Sequence, residues 1–420
     1  MRRFKIHTIV TCVALLLAMC SCIEAFEAET QDFAGVLVVD ARLTNEEKQH
    51  QVFLSRARPF EQDTIIPERN AVVSIIEDSG TTYQFEESAP GHYVSTSVFG
   101  AKTGENYQLK ISTSDGESYA STAETMPENV PIANLELKRE TNDFGEDGVA
   151  VVLDNGSLGN QPRYFRYDYE EAYRIEAPNW DPFRFKIIDS IACTDGDAFE
   201  VIAEPKQSLK GRICYGKRSS TRIILASTSN LQNNDITNFE VQFVNRENYI
   251  LTHRYSIKVN QYTQSVDAHS YYQGLEAFSV SESVFSETQP GFLSGNIFSE
   301  TDSERNVIGY FETAAISSRR IFFDYEDLFP EEPLPEYPVN CETLGNPRLI
   351  PQGYHCTMGS SGVCDGNCES PLISQIQANL IVFASDKDPV DFISPFLTLP
   401  FACGDCTLLG SAIKPEFWID

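Results

Sequence analysis

The sequence predicts a mainly β protein: an N-terminal immunoglobulin-like β-sandwich over residues 33–130, then a second antiparallel β-rich domain over residues 131–420 with one helix and a disulfide-rich C-terminal segment. Three observations predict it. Short runs of alternating apolar and polar residues recur along most of the chain, the period of a strand with one wet face. Glycine-bearing turns punctuate those runs. Aromatic side chains, which favour strands, are plentiful, with 27 Phe and 18 Tyr among 420 residues.

In order along the chain, residues 36–43, 52–55, 71–76, 91–96, 106–112 and 119–122 read as six strands. Gly80, Gly104 and Gly116 sit in the turns between them, where positive φ is needed. Six strands in about 90 residues approach the roughly seven of an immunoglobulin-like domain. Pro127 and Pro131 mark a boundary near residue 130, and the polar stretch 138–148 reads as a loop. Further strands follow at 149–153, 164–169, 184–188, 221–225, 239–243 and 255–259. Residues 265–278 break the two-residue period: Val266, Ala268, Tyr272, Leu275 and Phe278 fall on one helical face, and Ser265 is placed to cap it. Strands resume at 295–298, 307–311 and 320–323 before a proline-rich run, 329–338, leads into the cysteine-rich end.

The first 21 residues read as a signal peptide. Arg2, Arg3 and Lys5 precede an apolar run, 9–19, too short to span a bilayer. Small Ser21 before Cys22 suits lipoprotein signal peptidase, whereas Cys20 follows bulky Met19, so Cys22 is the expected lipidation site. Residues 22–32 then form an acidic tether, similar to the export tags of Bacteroidota surface lipoproteins. These features place the mature chain on the outer membrane, lipid-anchored, at its periplasmic or cell-surface face. Against this stands a plain secretory signal in which Cys20 and Cys22 are incidental thiols.

Once Cys12, Cys20 and Cys22 are set aside, eight cysteines remain: Cys193, Cys214, Cys341, Cys356, Cys364, Cys368, Cys403 and Cys406. An even number in an exported chain fits disulfides. Cys193 and Cys214 are expected to close a hairpin-like loop; the other six, in glycine-rich stretches, allow 15 connectivities. A zinc site is disfavoured by the oxidising compartment. A thioredoxin-like pair at Cys403 and Cys406 lacks the helix that should follow it.

With 32 basic against 61 acidic residues the formal charge is −29, which repels phosphate backbones, so nucleic acid is excluded as a natural partner. No metal, phosphate-loop, dinucleotide or nucleophile-elbow motif occurs, no catalytic residue is assigned, and no cofactor or metal is expected. The carboxylate pairs Glu170 with Glu171 and Glu331 with Glu332 are expected by chance in so acidic a chain. The acidic loops 143–147 and 195–197 do not complete a calcium loop. The aromatics Tyr167, Tyr169, Trp180 and Phe183, near several arginines, are candidate contact residues for a protein or a sugar ring. The competing reading makes them core. Trp418 is expected to pin the chain end onto the second domain.

Several stretches together are similar to one family. Cys22-Ile-Glu24, Val38-Val-Asp40, Tyr255-Ser-Ile-Lys-Val-Asn-Gln-Tyr262, Gly295-Asn-Ile297, Val307-Ile-Gly-Tyr-Phe311, Arg320-Ile-Phe322 and the ending from Cys406 to Trp418 occur in the order seen in Bacteroidota lipoproteins grouped as the domain of unknown function numbered four-two-four-nine. Ala25-Phe26 stands where that family typically has Pro-Phe. The resemblance implies an outer-membrane lipoprotein of the kind often encoded beside TonB-dependent receptors, and it transfers no catalytic residue. The expected function is therefore that of a non-catalytic accessory subunit, its partner an outer-membrane β-barrel transporter or assembly complex. A stand-alone carbohydrate- or peptide-binding module and a cryptic hydrolase are the alternatives, and any small-molecule ligand is left unspecified.

Overall fold

The computed structural model describes residues 35–58, 65–155, 163–190, 199–231, 235–280, 293–350, 352, 369–389 and 391–420. Cys22 and the whole leader lie outside them, as do Cys193, Cys356, Cys364, Cys368 and the loop at 195–197.

The chain is mainly β, as the alternation predicts. Its first part comprises β1 (Leu37–Thr44), β2 (Gln51–Arg56), β3 (Ile66–Pro67), β4 (Val72–Glu77), β5 (Thr82–Ala89), β6 (His92–Ser95), β7 (Asn106–Ser112), β8 (Ser118–Ser121) and β9 (Glu124–Thr125). The inward residues of alternate positions, among them Val39, Leu54, Ile75, Tyr93, Leu109 and Tyr119, pack into one core. β5 does not read as a strand in sequence because only Phe85 of its eight residues is buried.

The core changes hands at the predicted boundary: Met126 belongs to the first and Val130 to the second. The second part holds β10 (Asn134–Thr141), β11 (Asp147–Asp154), β12 (Tyr164–Glu176), β13 (Phe183–Asp189), β14 (Glu200–Pro205), β15 (Ile213–Ser219), β16 (Ile224–Ser227), β17 (Phe239–Asn245) and β18 (Tyr255–Gln264). Sheet β10–β11–β17 lays Val149, Val151, Leu153 and Val241 against Phe165, Tyr167, Tyr255 and Val259 from β12 and β18. Residues 138–148, expected as a loop, instead form the facing ends of a β10–β11 hairpin, in which Thr141 pairs with Asp147. β10 escapes the alternation rule because it is an edge strand with Leu135 as its one buried residue.

Helix α1 (Val266–Val280) occupies the predicted helical segment, and Ser265 Oγ accepts from the Ala268 N–H at 3.1 Å. Its inner face is not the predicted one. Ala268 and His269 are buried and Tyr272 is half-buried, whereas Val266 and Leu275 are exposed.

After α1 the chain returns to the first unit through β19 (Ile297–Ser299), which pairs with β8, and then β20 (Val307–Phe323). β20 runs for 17 residues where sequence indicates two short strands, because its middle is polar or small. Residues 307–314 pair parallel with β1 along one edge, and residues 315–323 pair antiparallel with β18 along the other. Ile297, Val307, Phe311 and Ala315 complete the first core, and Ile321 and Phe323 join the second. The sandwich is therefore not closed at residue 130; the strand that completes it arrives some 170 residues later. Two glycines permit this. Gly309 has φ +126° and a Cβ there would lie 2.0 Å from the Val39 carbonyl oxygen, while a Cβ on Gly295 would lie 1.6 Å from the Gly309 oxygen. Asn296 then closes the far end of the strand path onto β20: its amide accepts from the Phe311 N–H at 2.8 Å and donates to the Phe311 carbonyl at 2.9 Å.

The C-terminal segment folds as a small third unit. The one-turn α2 (Tyr325–Leu328) still packs on the second core, and the third unit contains α3 (Pro371–Gln377), β21 (Ile381–Asp386), β22 (Phe396–Pro400) and the one-turn α4 (Phe401–Gly404). Leu372, Ile373, Phe383 and Phe396 form a core with Phe199 and Val201, at and next to the start of β14. One disulfide, Cys214–Cys406, attaches it to β15, and a second, Cys341–Cys403, closes the segment on itself. Cys214 thus pairs across the fold and not with Cys193, and Cys403 and Cys406 lie in different bridges, so they are not a dithiol pair. The chain end is pinned as expected, Trp418 lying 5.0 Å from the Tyr215 ring and 5.8 Å from that of Phe322.

Gly309→Ala is expected to lower the unfolding free energy by about 2–4 kcal/mol, since it adds both a strained φ and a backbone clash. Urea titration measures this, and a loss below about 0.5 kcal/mol would show that the β1–β20 contact tolerates a methyl. Replacing Cys214 and Cys406 together by Ser should cost about 2–5 kcal/mol, because the bridge spans 192 residues of chain; an unchanged urea midpoint would contradict a bridge formed in the native protein.

Candidate functional site

The most concentrated charge chemistry lies where the two halves of β20 meet. Glu312 is fully buried. One carboxylate oxygen accepts from Arg42 Nε of β1 at 2.9 Å, from an Arg166 terminal nitrogen of β12 at 3.2 Å and from the Tyr272 hydroxyl of α1 at 3.1 Å; the other accepts from the Gln264 amide of β18. Four elements thus meet at one carboxylate. The guanidinium groups of Arg42 and Arg166 lie 4.8 and 4.5 Å from the centre of the Tyr262 ring. Burial pushes the Glu312 carboxyl up, and Arg166 and Arg42 more than offset this, holding it below its ordinary value.

A second buried carboxylate sits beside this cluster in the fold. Glu124 of β9 accepts from the Tyr310 hydroxyl at 2.8 Å and the Asn296 amide at 2.9 Å. Burial dominates here and raises its pKa, since these partners are neutral. In both clusters the carboxylate is met by donors from several strands and ties them together, which is structural chemistry.

A different arrangement occurs in a cleft of about 440 Å³ between the β13–β14 hairpin and the C-terminal unit. Its apolar wall is aromatic: Phe383 lies 6.3 Å from Phe183 and 5.6 Å from Phe185, ring to ring, with Phe401 completing the lining. Lys206, Lys210 and Arg184 line it as well. Arg184 donates to Glu204 at 2.8 Å. Lys206 and Lys210 have no carboxylate within ion-pair distance among the described residues, and burial lowers the Lys206 pKa. The Lys206 ammonium lies 4.9 Å from the centre of the Trp180 ring, a cation–π distance.

Of the four candidate aromatics, Tyr167 and Tyr169 are core residues packed in the second unit, 1% and 7% exposed. They alternate inward on β12, where the competing reading put them. Trp180 packs partly against the same core, and Phe183 is exposed and lines the cleft. The paired carboxylates do not act together. Glu171 is buried and accepts from the Tyr255 hydroxyl at 2.6 Å, while its neighbour Glu170 faces solvent on the other side of the strand. Glu332 is bound by Arg139 and Arg246, and Arg139 and Arg246 also hold Asp147 of the acidic loop. Among the described residues no group of three His, Cys, Asp or Glu side chains is placed to hold a metal ion. Sequence reasoning missed Lys206, Lys210 and Phe383 because the cleft joins segments nearly 200 residues apart.

The model of the family described as Domain of unknown function (DUF4249) matches residues 23–320. The chain belongs to the DUF4249 family. The matched segment ends within β20, whereas the resemblance read from the sequence continues to Trp418; the third unit lies beyond the match. Five of the seven stretches recognised in sequence, 38–40, 255–262, 295–297, 307–311 and 320–322, lie at or beside the β1–β20–β18 junction; 22–24 lies outside the described residues, and 406–418 packs against β15. No curated protein matches the chain. The crystal structure of a DUF4785 family protein from Legionella pneumophila is similar at 8% identity, covering 54% of this chain and 52% of that one, with a TM-score of 0.17. That likeness carries no argument, and this chain spans about half of that protein.

Glu312→Gln is expected to destabilise the protein by about 3–5 kcal/mol, leaving buried arginine charge without its counter-charge, whereas Glu124→Gln should cost about 1 kcal/mol or less, because it replaces a carboxyl whose charge is already disfavoured. The pH responses differ in sign. Glu312, depressed in the fold, contributes stability above the ordinary Glu value of about 4.3 and loses it as pH falls through the folded value. Glu124, raised in the fold, contributes at low pH and loses its contribution as pH rises through its folded value. Urea midpoints of the two variants across pH 3–8 read this out, and equal losses would contradict the assignment.

Proposed function

We propose that this protein is a non-catalytic outer-membrane lipoprotein, anchored through Cys22, that serves as an accessory subunit of a TonB-dependent β-barrel transporter or an envelope assembly complex. The observation that carries the reading is how the ionisable groups are used. Glu312, Arg42, Arg166, Glu171 and Glu124 are engaged with one another or with tyrosines, and they hold the strands in place. What faces outward is contact surface: strand edges, loops and an aromatic cleft. Support for the membrane side comes from the leader and from distance. Residues 23–36 separate Cys22 from the start of β1, a leash of at most roughly 50 Å when fully extended, so an acylated Cys22 keeps the first unit within one protein diameter of the bilayer. No helix among the described residues is long and apolar enough to cross a membrane, and attachment in this reading needs only the acyl chains.

Mild-detergent purification of the tagged native lipoprotein, beside Cys22→Ala, tests the proposal, with mass spectrometry of what co-purifies. One β-barrel protein is expected at near-stoichiometric yield with the parent and at least tenfold less with Cys22→Ala. Recovery of no barrel under conditions that preserve known envelope complexes would overturn the accessory role and leave a stand-alone binding module.

A further inference from the structure

The aromatic cleft between the β13–β14 hairpin and β21 differs in one respect from two other charged clefts, those beside β1 and β2 and beside the proline-rich run. In the polar cleft beside β1 and β2, Arg42 is bound to Glu312 and Lys48 to Glu46. In the cleft beside the proline-rich run, Arg246 is bound to Glu332. The aromatic cleft alone among these combines a wall of phenylalanines with lysines that have no ion-pair partner among the described residues. Such cations are unexpected in a protein of formal charge −29. Asp405 and Asp181 act on Lys206 through space without forming an ion pair with it, and the Asp405 carboxylate accepts from the Thr407 N–H at 3.0 Å and the Thr407 hydroxyl at 2.6 Å.

We propose that this cleft binds a small organic anion with an aromatic body, its acidic group set between Lys206 and Lys210 and its ring among Phe183, Phe185 and Phe401. A volume of about 440 Å³ accommodates one such molecule, in the range of roughly 300–1,000 Å³ usual for small-molecule sites. The aromatic wall supplies apolar and edge-to-face contact. The half-buried Lys206 is a strong donor toward an anion because less water competes for it. The Phe383 wall is fixed from behind by Phe396 and Leu372 in the third core, and the Lys206 N–H donates to the Pro182 carbonyl at 2.7 Å. The site is thus built between the β13–β14 hairpin and the C-terminal segment, which share the third core and which the Cys214–Cys406 bridge ties back to β15. This assignment stands independently of the transporter reading.

The test titrates 2-naphthoate and its neutral analogue 2-naphthylmethanol calorimetrically into the full chain. Naphthoate is expected to bind at one site per chain, at least tenfold tighter than the alcohol. Lys206→Gln combined with Lys210→Gln should weaken naphthoate at least tenfold and leave the alcohol unchanged; Phe183→Ser should weaken both. Because Lys206 is partly buried, the fully surface variant Lys210→Gln is measured alone, with an expected loss of at least threefold and an unchanged thermal midpoint. Absence of saturable naphthoate binding, equal affinity for the alcohol, or an unaltered affinity in the lysine variants would overturn the assignment.

Discussion

The burial of the Glu312 charge is the constraint on which the rest of the architecture depends. A carboxylate with no solvent contact is tolerated only when cations and donors surround it, and here they come from β1, β12, β18 and α1 at once. Moving any one of these elements leaves a charge or a donor without its partner. The cluster therefore specifies where β20 must cross from one unit to the other, and the crossing in turn fixes both cores. Gly309 and Gly295 serve the same crossing by letting backbones approach where side chains would collide, and Asn296 serves it through its amide bonds to the Phe311 backbone. Five of the seven family-marking stretches gather at this junction, separated in sequence and adjacent in space.

The strand content was legible in the sequence wherever one face was buried. Val72–Glu77 and Asn106–Ser112 alternate cleanly, and both are strands with alternating burial. Legibility failed at the edges and at the join. Asn134–Thr141 and Thr82–Ala89 bury one residue each, so hydrophobic period carries no signal there. Val307–Phe323 looks like two strands because its central residues pack through small side chains and hydrogen bonds. The helix was visible, and Ala268 and Tyr272 face inward as read, but the buried His269 replaces Val266 and Leu275 on that face, a polar residue that hydrophobic periodicity cannot register.

The candidate site was only partly legible. Phe183 stood out as an aromatic near arginines, yet Tyr167 and Tyr169, selected by the same pattern, are core. Composition could not distinguish them, since both faces of β12 are largely covered. Lys206 and Lys210 carry no local signal, because a lysine is ordinary at the surface; what singles them out is the absence of a carboxylate partner beside an aromatic wall, a relation between distant segments. The pairing of Cys214 with Cys406 was hidden for the same reason, since nothing local to Cys214 points 192 residues along the chain.

The position of β1 has a mechanical consequence. The strand that follows the tether is bonded along both edges, to β2 on one side and to β20 on the other, from its first residue Leu37. A pull arriving through the tether runs along the strand axis and loads two rows of hydrogen bonds in shear, so they must fail together and not one after another. β20 passes part of that load directly into β18 and the second core. A load applied at the N-terminal side of β1 is therefore shared between the first and second cores.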